Sequence, residues 1–335
     1  MKITNYIALF FVFLVLGVSL VEPSLNKAPD IGTIKLFTFK DDGYYSVNEK
    51  SCIQFLTGQD FANNIKDYSI YQKAIYSTDD QIQYSPHALY MLYCARENNK
   101  EEFDVVLSNF NIEEAPYFDQ LVVLKALLTA YQNFGQISYK EQAFDVEATL
   151  NKSFVQKGSI QIYQLDLVTL KALSGFRKEW EQVYKISKDI IKYAYIGDYF
   201  PFYENYYDYE ERIYGQENEI IMEQSLLSVL SLAEEGLHKK QTIHWLKETL
   251  KSDKVYISYD KDTGIPLVSN ESSNIYALIA QIGKVINDRE LYTLAIEHMV
   301  RFQVIQSNDE IKGSFVNQET VDIDYYSNVQ ALLAF

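Results

Sequence analysis

Ten carboxylates stand at or just before the starts of apolar segments: Asp79, Asp80, Asp119, Asp166, Asp208, Glu219, Glu223, Glu271, Asp322 and Asp324. Carboxyl groups facing each other across a cleft can do general acid and base work. One with a raised pKa gives a proton, and the other takes one from water. The same residue types at helix N-termini also cap free N–H groups and favour the helix dipole, by about 0.3–1 kcal/mol each. Spacing alone therefore leaves cap and catalyst both open. Tyrosine is the second signal, with 28 in 335 residues. Tyr163, Phe202, Tyr203 and Tyr207 lie close to these acids in sequence. A ring face that stacks and a hydroxyl that hydrogen-bonds suit a sugar cleft, and equally suit plain packing.

Other chemistries find little support. His87, His238, His244 and His298 are scattered, and His238 and His244, six positions apart, do not share the i, i+4 face of a metal pair. Cys52 and Cys94 are too few for a disulfide framework or a zinc site, which leaves one bridge or two buried thiols. No P-loop, G-x-G-x-x-G, G-x-S-x-G or H-E-x-x-H pattern occurs. The run Asp260–Gly264 reads as a turn, because it lacks the twelfth-position glutamate of a calcium loop. Neither a metal nor a cofactor is expected. The net charge of −16 argues against nucleic acid, whose binding depends on Lys and Arg at phosphates.

The elements that must position these residues are mostly helical. At ~150 residues per domain, 335 residues allow two domains or one large one. The run Tyr6–Val21 is apolar on every face and follows Lys2. Its 16 residues would cover about 24 Å as a helix, which fits a signal peptide or a short signal anchor. Residues 1–24 are therefore assigned to targeting, and the body of the protein is expected outside the cytoplasm, bound to or released from a membrane. No small-x-small cleavage site follows the run, which favours an uncleaved anchor. Residues 25–45 read as an extended linker.

From residue 46 to 335, six apolar helices start near Ser85, Phe118, Tyr163, Glu219, Ser273 and Tyr326. Polar-faced helices lie near 47–66, 100–110, 139–154, 178–195, 239–251 and 289–304. A hairpin repeat near 50 residues signals a helical array. Helices apolar all round belong inside, and helices with one wet face belong outside. The expected fold is all-α, a closed (α/α)6 toroid of six helical hairpins, with an open solenoid as the alternative. Closure is favoured because the last helix is apolar and would not cap an open array. The longer inserts, Tyr195–Asn218 and Ser252–Ser272, fall at the N-terminal end of the inner helices, where loops on a rigid scaffold usually carry function. Residues 254–264 read as a small hairpin or turn.

Several stretches carry a resemblance: Phe200–Tyr203 (F-P-F-Y), Tyr207–Tyr214 (Y-D-Y-E-E-R-I-Y), Glu271–Leu278 (E-S-S-N-I-Y-A-L), Asp288–Ala295 (D-R-E-L-Y-T-L-A), and the closing Tyr326–Phe335. In this order the chain resembles the six-hairpin glycosidases, in particular extracytoplasmic proteins similar to family 8 glycoside hydrolases, over roughly residues 84–335. The resemblance implies an (α/α)6 barrel acting on a β-linked exopolysaccharide. Its catalytic pattern is only partly present. The family's acid follows a serine at the first inner helix, where this chain has Ser85-Pro86-His87. Its Asp-Asp-x-Arg reads Asp119-Gln120-Leu121-Val122 here. Asp119 is thus the carried-over catalytic candidate, with Asp80 as a relocated acid. Tyr163, Asp166, Tyr203, Tyr207, Asp208 and Glu219 are the candidate substrate-binding residues.

Three functions follow as expectations. The protein is an inverting glycoside hydrolase with an altered acid, or a glycan-binding relative that has lost it. Alternatively it is a non-catalytic helical interaction scaffold at the membrane surface. A monomer is expected.

Overall fold

The computed structural model describes residues 43–57, 84–150, 157–306, 311–316 and 323–335. The targeting segment, most of the linker, Asp80 and Asp322 lie outside the described residues. Twelve α-helices are found among the described residues: α1 Ser46–Thr57, α2 Tyr84–Arg96, α3 Lys100–Asn109, α4 Tyr117–Phe134, α5 Ile137–Thr149, α6 Leu167–Phe176, α7 Glu179–Tyr193, α8 Met222–Glu234, α9 Lys240–Ser252, α10 Ser273–Ile286, α11 Arg289–Met299 and α12 Tyr325–Ala334.

Even-numbered helices form the inner ring. In α4 every residue from Leu121 to Ala130 is buried, and in α10 every residue from Ser273 to Val285. Such helices have no wet face, so they must be surrounded by others. Odd-numbered helices cover them. Helix α7 buries Trp180, Val183, Ser187, Ile190 and Ile191, a stripe at helical spacing, and leaves its charged residues in water. Each large apolar side chain so buried contributes about 1.5–3 kcal/mol. Helices within a hairpin approach closely. At Gly283 an added Cβ would stand 2.8 Å from the Tyr292 amide nitrogen, so α10 and α11 meet where only glycine fits.

The ring closes as expected. Inner helices pack in the order α2, α4, α6, α8, α10, α12, and α12 packs back on α2. The sixth hairpin joins the two ends of the chain, because the outer partner of α12 is α1. Asn48 on α1 donates to Gln303 Oε1 at 2.7 Å, and Gln303 Nε2 returns a bond to the Asn48 carbonyl at 2.8 Å. Buried Asn328 on α12 exchanges two bonds with the Phe315 backbone, at 2.7 and 2.9 Å. Gly313, at φ +91°, lies so close to α1 that a Cβ would sit 2.0 Å from the Ser51 carbonyl oxygen. Cys52 and Cys94 are both buried and free. Desolvation pushes both thiols up, which keeps them protonated.

The inserts contain more strand than the sequence reading gave them. The strands are β1 Ser159–Gln161, β2 Tyr195–Gly197, β3 Phe200–Tyr203, β4 Tyr206–Asp208, β5 Ile213–Tyr214, β6 Glu219–Ile221 and β7 Ser258–Asp260. They form three small antiparallel sheets, β1-β4-β5, β2-β3 and β6-β7. Two inner helices consequently start later than expected. Tyr163 sits in a single 3-10 turn, Ile162–Gln164, and α6 begins at Leu167 after its N-cap Asp166, whose side chain accepts from Thr169 N at 3.0 Å. Glu219 is on β6, paired in register with Asp260, and α8 begins at Met222. The start of α6 is level with the last turn of α8, since Leu167 N donates to Ser231 Oγ at 3.0 Å. Helix α6 is therefore sunk within the ring, and β1 and the 3-10 turn precede it there.

Candidate active site at the mouth of the toroid

Asp119 lies in the first turn of α4 and is 3% exposed. It accepts a hydrogen bond from Ser85 Oγ, in the first turn of α2, at 2.6 Å. Burial raises its pKa above the ordinary aspartate value, and the Ser85 bond partly offsets that rise. Glu223, in the first turn of α8, is half-buried. Burial raises its carboxyl pKa as well. The neighbouring Asn274 side chain on α10 and the Tyr326 hydroxyl on α12 favour the charged form, and the Asp324 charge opposes it. Tyr163 also feels both acids. Burial is the main cause raising its hydroxyl pKa, and both Glu223 and Asp119 add to it. The Tyr163 ring packs edge-on to Phe118, with centroids 5.4 Å apart at 76°. The first turns of α4, α8, α10 and α12 thus place buried Asp119, half-buried Glu223, Asn274 and Tyr326 at the same end of the ring, where Tyr163 of the 3-10 turn packs on Phe118.

Beneath that mouth a small axial cavity of about 60 Å³, partly open to solvent, lies within the inner ring. Its walls include Phe118, Val122, Leu89, Leu227 and Leu230. Lys125, Asp166, Glu234 and Arg96 also line it. Lys125 Nζ reaches Glu234 Oε1 and Oε2 at 2.7 and 2.6 Å, and Asp166 Oδ2 at 3.2 Å. Arg96 approaches Glu234 at 3.7 Å. Burial opposes the lysine charge, yet the two carboxylates hold Lys125 above its usual range. Two cations and two anions make this cluster formally neutral, and Asp166 ties it to the start of the sunken helix α6. These four residues were missed as a group by sequence reasoning. The available signal was Lys125 and Glu234, charges that lie beyond the first turn of largely apolar helices.

The sequence-selected residues are spread over several places. Asp119 and Tyr163 lie at the mouth, Tyr163 packing on Phe118, the residue before Asp119. Asp166 caps α6 and holds Lys125, so its role is structural ion pairing as well as lining the cavity. Tyr207 and Asp208 lie on β4. The Tyr207 ring packs against Tyr209 and Tyr214. Asp208 accepts from the Glu210 and Glu211 amides and from Ser159 Oγ, each at 2.8 Å, which lowers its pKa and marks it as a turn cap. Glu219 points to solvent from β6. Tyr203 is a correction. It is 1% exposed, on a strand whose four residues are all buried, so it offers no face to a sugar. Phe202 is fully buried beside Trp245 and is likewise core. Both were drawn to the site by their place in a tyrosine-rich insert, but β3 turns inward against α8 and α9. Asp80 is outside the described residues.

The departures from the family pattern also have local explanations. Pro86 is buried in the first turn of α2, where a missing N–H costs nothing. The Gln120 side chain folds back onto the Ala115 carbonyl at 2.8 Å. Val122 lines the apolar wall of the cavity. Glu223 was legible as a first-turn acid of an inner helix, the same placement as Asp119. Nothing in the sequence alone separated it from a cap.

No protein-family model matches the chain, and no curated protein matches it. Solved structures do. One described as a novel alpha-amylase from Clostridium perfringens superposes with a TM-score of 0.74 at 24% identity, covering 88% of this chain and 98% of that one. PssZ from Listeria monocytogenes gives 0.60 at 16% identity, covering 81% and 96%. Endoglucanase Cel10, a family 8 glycosyl hydrolase from Klebsiella pneumoniae, gives 0.51 at 11%, covering 79% and 96%. The chain therefore has the (α/α)6 toroid fold of the six-hairpin glycosidases.

Proposed function

We propose that the protein is a polysaccharide hydrolase of the inverting type, with Asp119 as general acid and Glu223 as general base. One observation carries this reading: buried Asp119, held by Ser85 at 2.6 Å, stands in the first turn of α4 next to Phe118, whose ring packs on Tyr163, and Glu223 stands in the first turn of a second inner helix. In an inverting hydrolysis one carboxyl group protonates the glycosidic oxygen while the other draws a proton from the attacking water. Asp119 is the drier of the two and has one donor, so it suits the protonated role. Glu223 is only half-buried, and the neighbouring Asn274 and Tyr326 side chains favour its anion, which suits the base. The Tyr163 and Phe118 rings supply a stacking surface beside them.

The substrate proposed is a β-linked exopolysaccharide outside the cytoplasm. The apolar run Tyr6–Val21 and the resemblance to extracytoplasmic family 8 proteins support that placement. The structural neighbours include both an alpha-amylase and an endoglucanase, so starch and glycogen belong in the test beside cellulose-like and chitosan-like chains. Purified residues 25–335 are incubated with each, and reducing-end release and binding are followed together. Release abolished by Asp119→Asn and by Glu223→Gln supports the hydrolase. Saturable binding without release by the unmodified chain converts it to a glycan-binding protein. Absence of both overturns the carbohydrate reading in favour of a scaffold.

A further inference from the structure

We propose that the axial cavity is the recognition pocket for an N-acetyl group carried by the substrate, which makes that substrate a polymer containing N-acetylhexosamine. This rests on the glycan reading of the mouth. The cavity lies beneath Phe118 and Tyr163, whose rings pack on each other and line it. A sugar stacked on those rings can lower one substituent between them. The cavity volume is about 60 Å³. A single water needs about 10–15 Å³ by the same measure, so about four to six atoms of that size fit. That admits an acetamido group and excludes a whole sugar ring.

The lining selects among substituents. Leu89, Val122, Leu227 and Leu230 form apolar walls, and the last two are only half-buried although α8 is an inner helix. Lys125, Asp166, Glu234 and Arg96 pair with one another, so the cavity offers no uncompensated charge. A charged substituent would leave water for apolar walls and find no partner there. One polar group is unmet. Gln281 is 2% exposed and lines the cavity, and its Nε2 donates to Gln330 Oε1 at 2.9 Å and to the Gln330 carbonyl at 3.3 Å. With its amide hydrogens turned to Gln330, Gln281 Oε1 has no donor among the described residues. A buried acceptor of this kind calls for an N–H or O–H from whatever fills the space. An acetamido group supplies the N–H and lays its methyl against the leucines. An O-acetyl ester brings the methyl without a donor. An ammonium brings donors with a charge, and a hydroxyl leaves most of the apolar wall bare.

The test is calorimetric titration of the full chain with three β-1,4-linked tetramers, of N-acetylglucosamine, glucosamine and glucose. Asp119→Asn serves as the host wherever the parent cuts a tetramer. The N-acetylglucosamine tetramer should bind about 10–100-fold more tightly than the other two. Gln281→Met keeps the bulk and removes the acceptor. Leu230→Phe fills the cavity from α8 and keeps the test open should Gln281→Met fail to fold. Each should remove the preference, so that the N-acetylglucosamine tetramer binds no better than the glucose tetramer. A role confined to packing would lower Tm and leave the preference in place. Equal binding of all three tetramers by the parent overturns the pocket and leaves the glycan reading standing. A preference that survives both substitutions in folded protein also overturns it, because the acetyl group is then read elsewhere. Binding of none overturns the pocket and the glycan reading together.

Discussion

Ser85 donates its hydroxyl proton to Asp119 across 2.6 Å, linking the first turns of two neighbouring inner helices. The bond holds down a carboxyl that burial pushes up. Ser85→Ala should therefore raise the Asp119 pKa further. If Asp119 is the acid, activity is lost on the alkaline side as it deprotonates, so that limb should move to higher pH. A pH profile of kcat/KM checks this. A downward move would show that Ser85 acts some other way.

Asp119→Asn and Glu223→Gln should each cut hydrolysis by about 10²–10⁴-fold, the usual range for losing a positioned acid or base. Glycan binding should survive both changes, since neither removes the aromatic surface of Phe118 and Tyr163. Calorimetric titration of the variants with a non-cleaved oligosaccharide measures the second half of this expectation.

The same substitution at Asp119 makes a stability prediction. A carboxyl raised in the folded state costs stability as pH rises through its unfolded and then its folded pKa. At pH 7 the native protein carries that cost, and Asp119→Asn removes it. The variant should melt higher than the parent at pH 7, with the gap closing toward pH 4. Thermal scans across that range decide it.

Lys125→Met should be severely destabilising, by about 3–5 kcal/mol, because it strands the buried Glu234 carboxylate and the partly buried Asp166. Adding Glu234→Leu should recover part of the loss, since an apolar pair can replace buried charges. Denaturant midpoints for the single and double variants give the comparison. Additive losses would mean that the two side chains do not act as a pair.

Gly313→Ala and Gly135→Ala form a matched pair. Both residues have positive φ, but only at Gly313 would the new Cβ meet another backbone, 2.0 Å from the Ser51 oxygen. Gly135 has nothing within 4 Å. Gly135→Ala should lose about 1 kcal/mol from backbone strain alone. Gly313→Ala should lose clearly more, with α1 displaced. Equal losses would remove the tight contact as an explanation.

The fold was largely legible because an inner helix of a toroid is apolar on every face, and that pattern is local. The runs beginning at Ser85, Phe118, Ser273 and Tyr326 gave helix starts within one residue of those found. Pairing between distant segments is not local. The strand Glu219–Ile221 depends on Ser258–Asp260, and nothing near Glu219 announces that partner. Tyr203 failed for a related reason. Its burial comes from α8 and α9 folding over β3, whereas composition shows only an aromatic insert. Glu223 needed the opposite information. A first-turn acid becomes a candidate base only when Asn274 and Tyr326, some fifty and one hundred residues away, arrive beside it.

The bond between Asn48 and Gln303 spans 255 residues of chain. Bringing such distant points together costs on the order of 5 kcal/mol in chain entropy, before a constant term. That cost falls on one late event, the docking of the last inner helix between the first hairpin and its waiting outer partner. During synthesis α1 emerges first and keeps its apolar face uncovered until α12 arrives, which exposes it to chaperones and to aggregation. Once shut, the ring has no terminal hairpin that can peel away alone. Loss of any one hairpin opens the circle for all six, so the protein should unfold in one cooperative step and resist proteases that attack fraying ends.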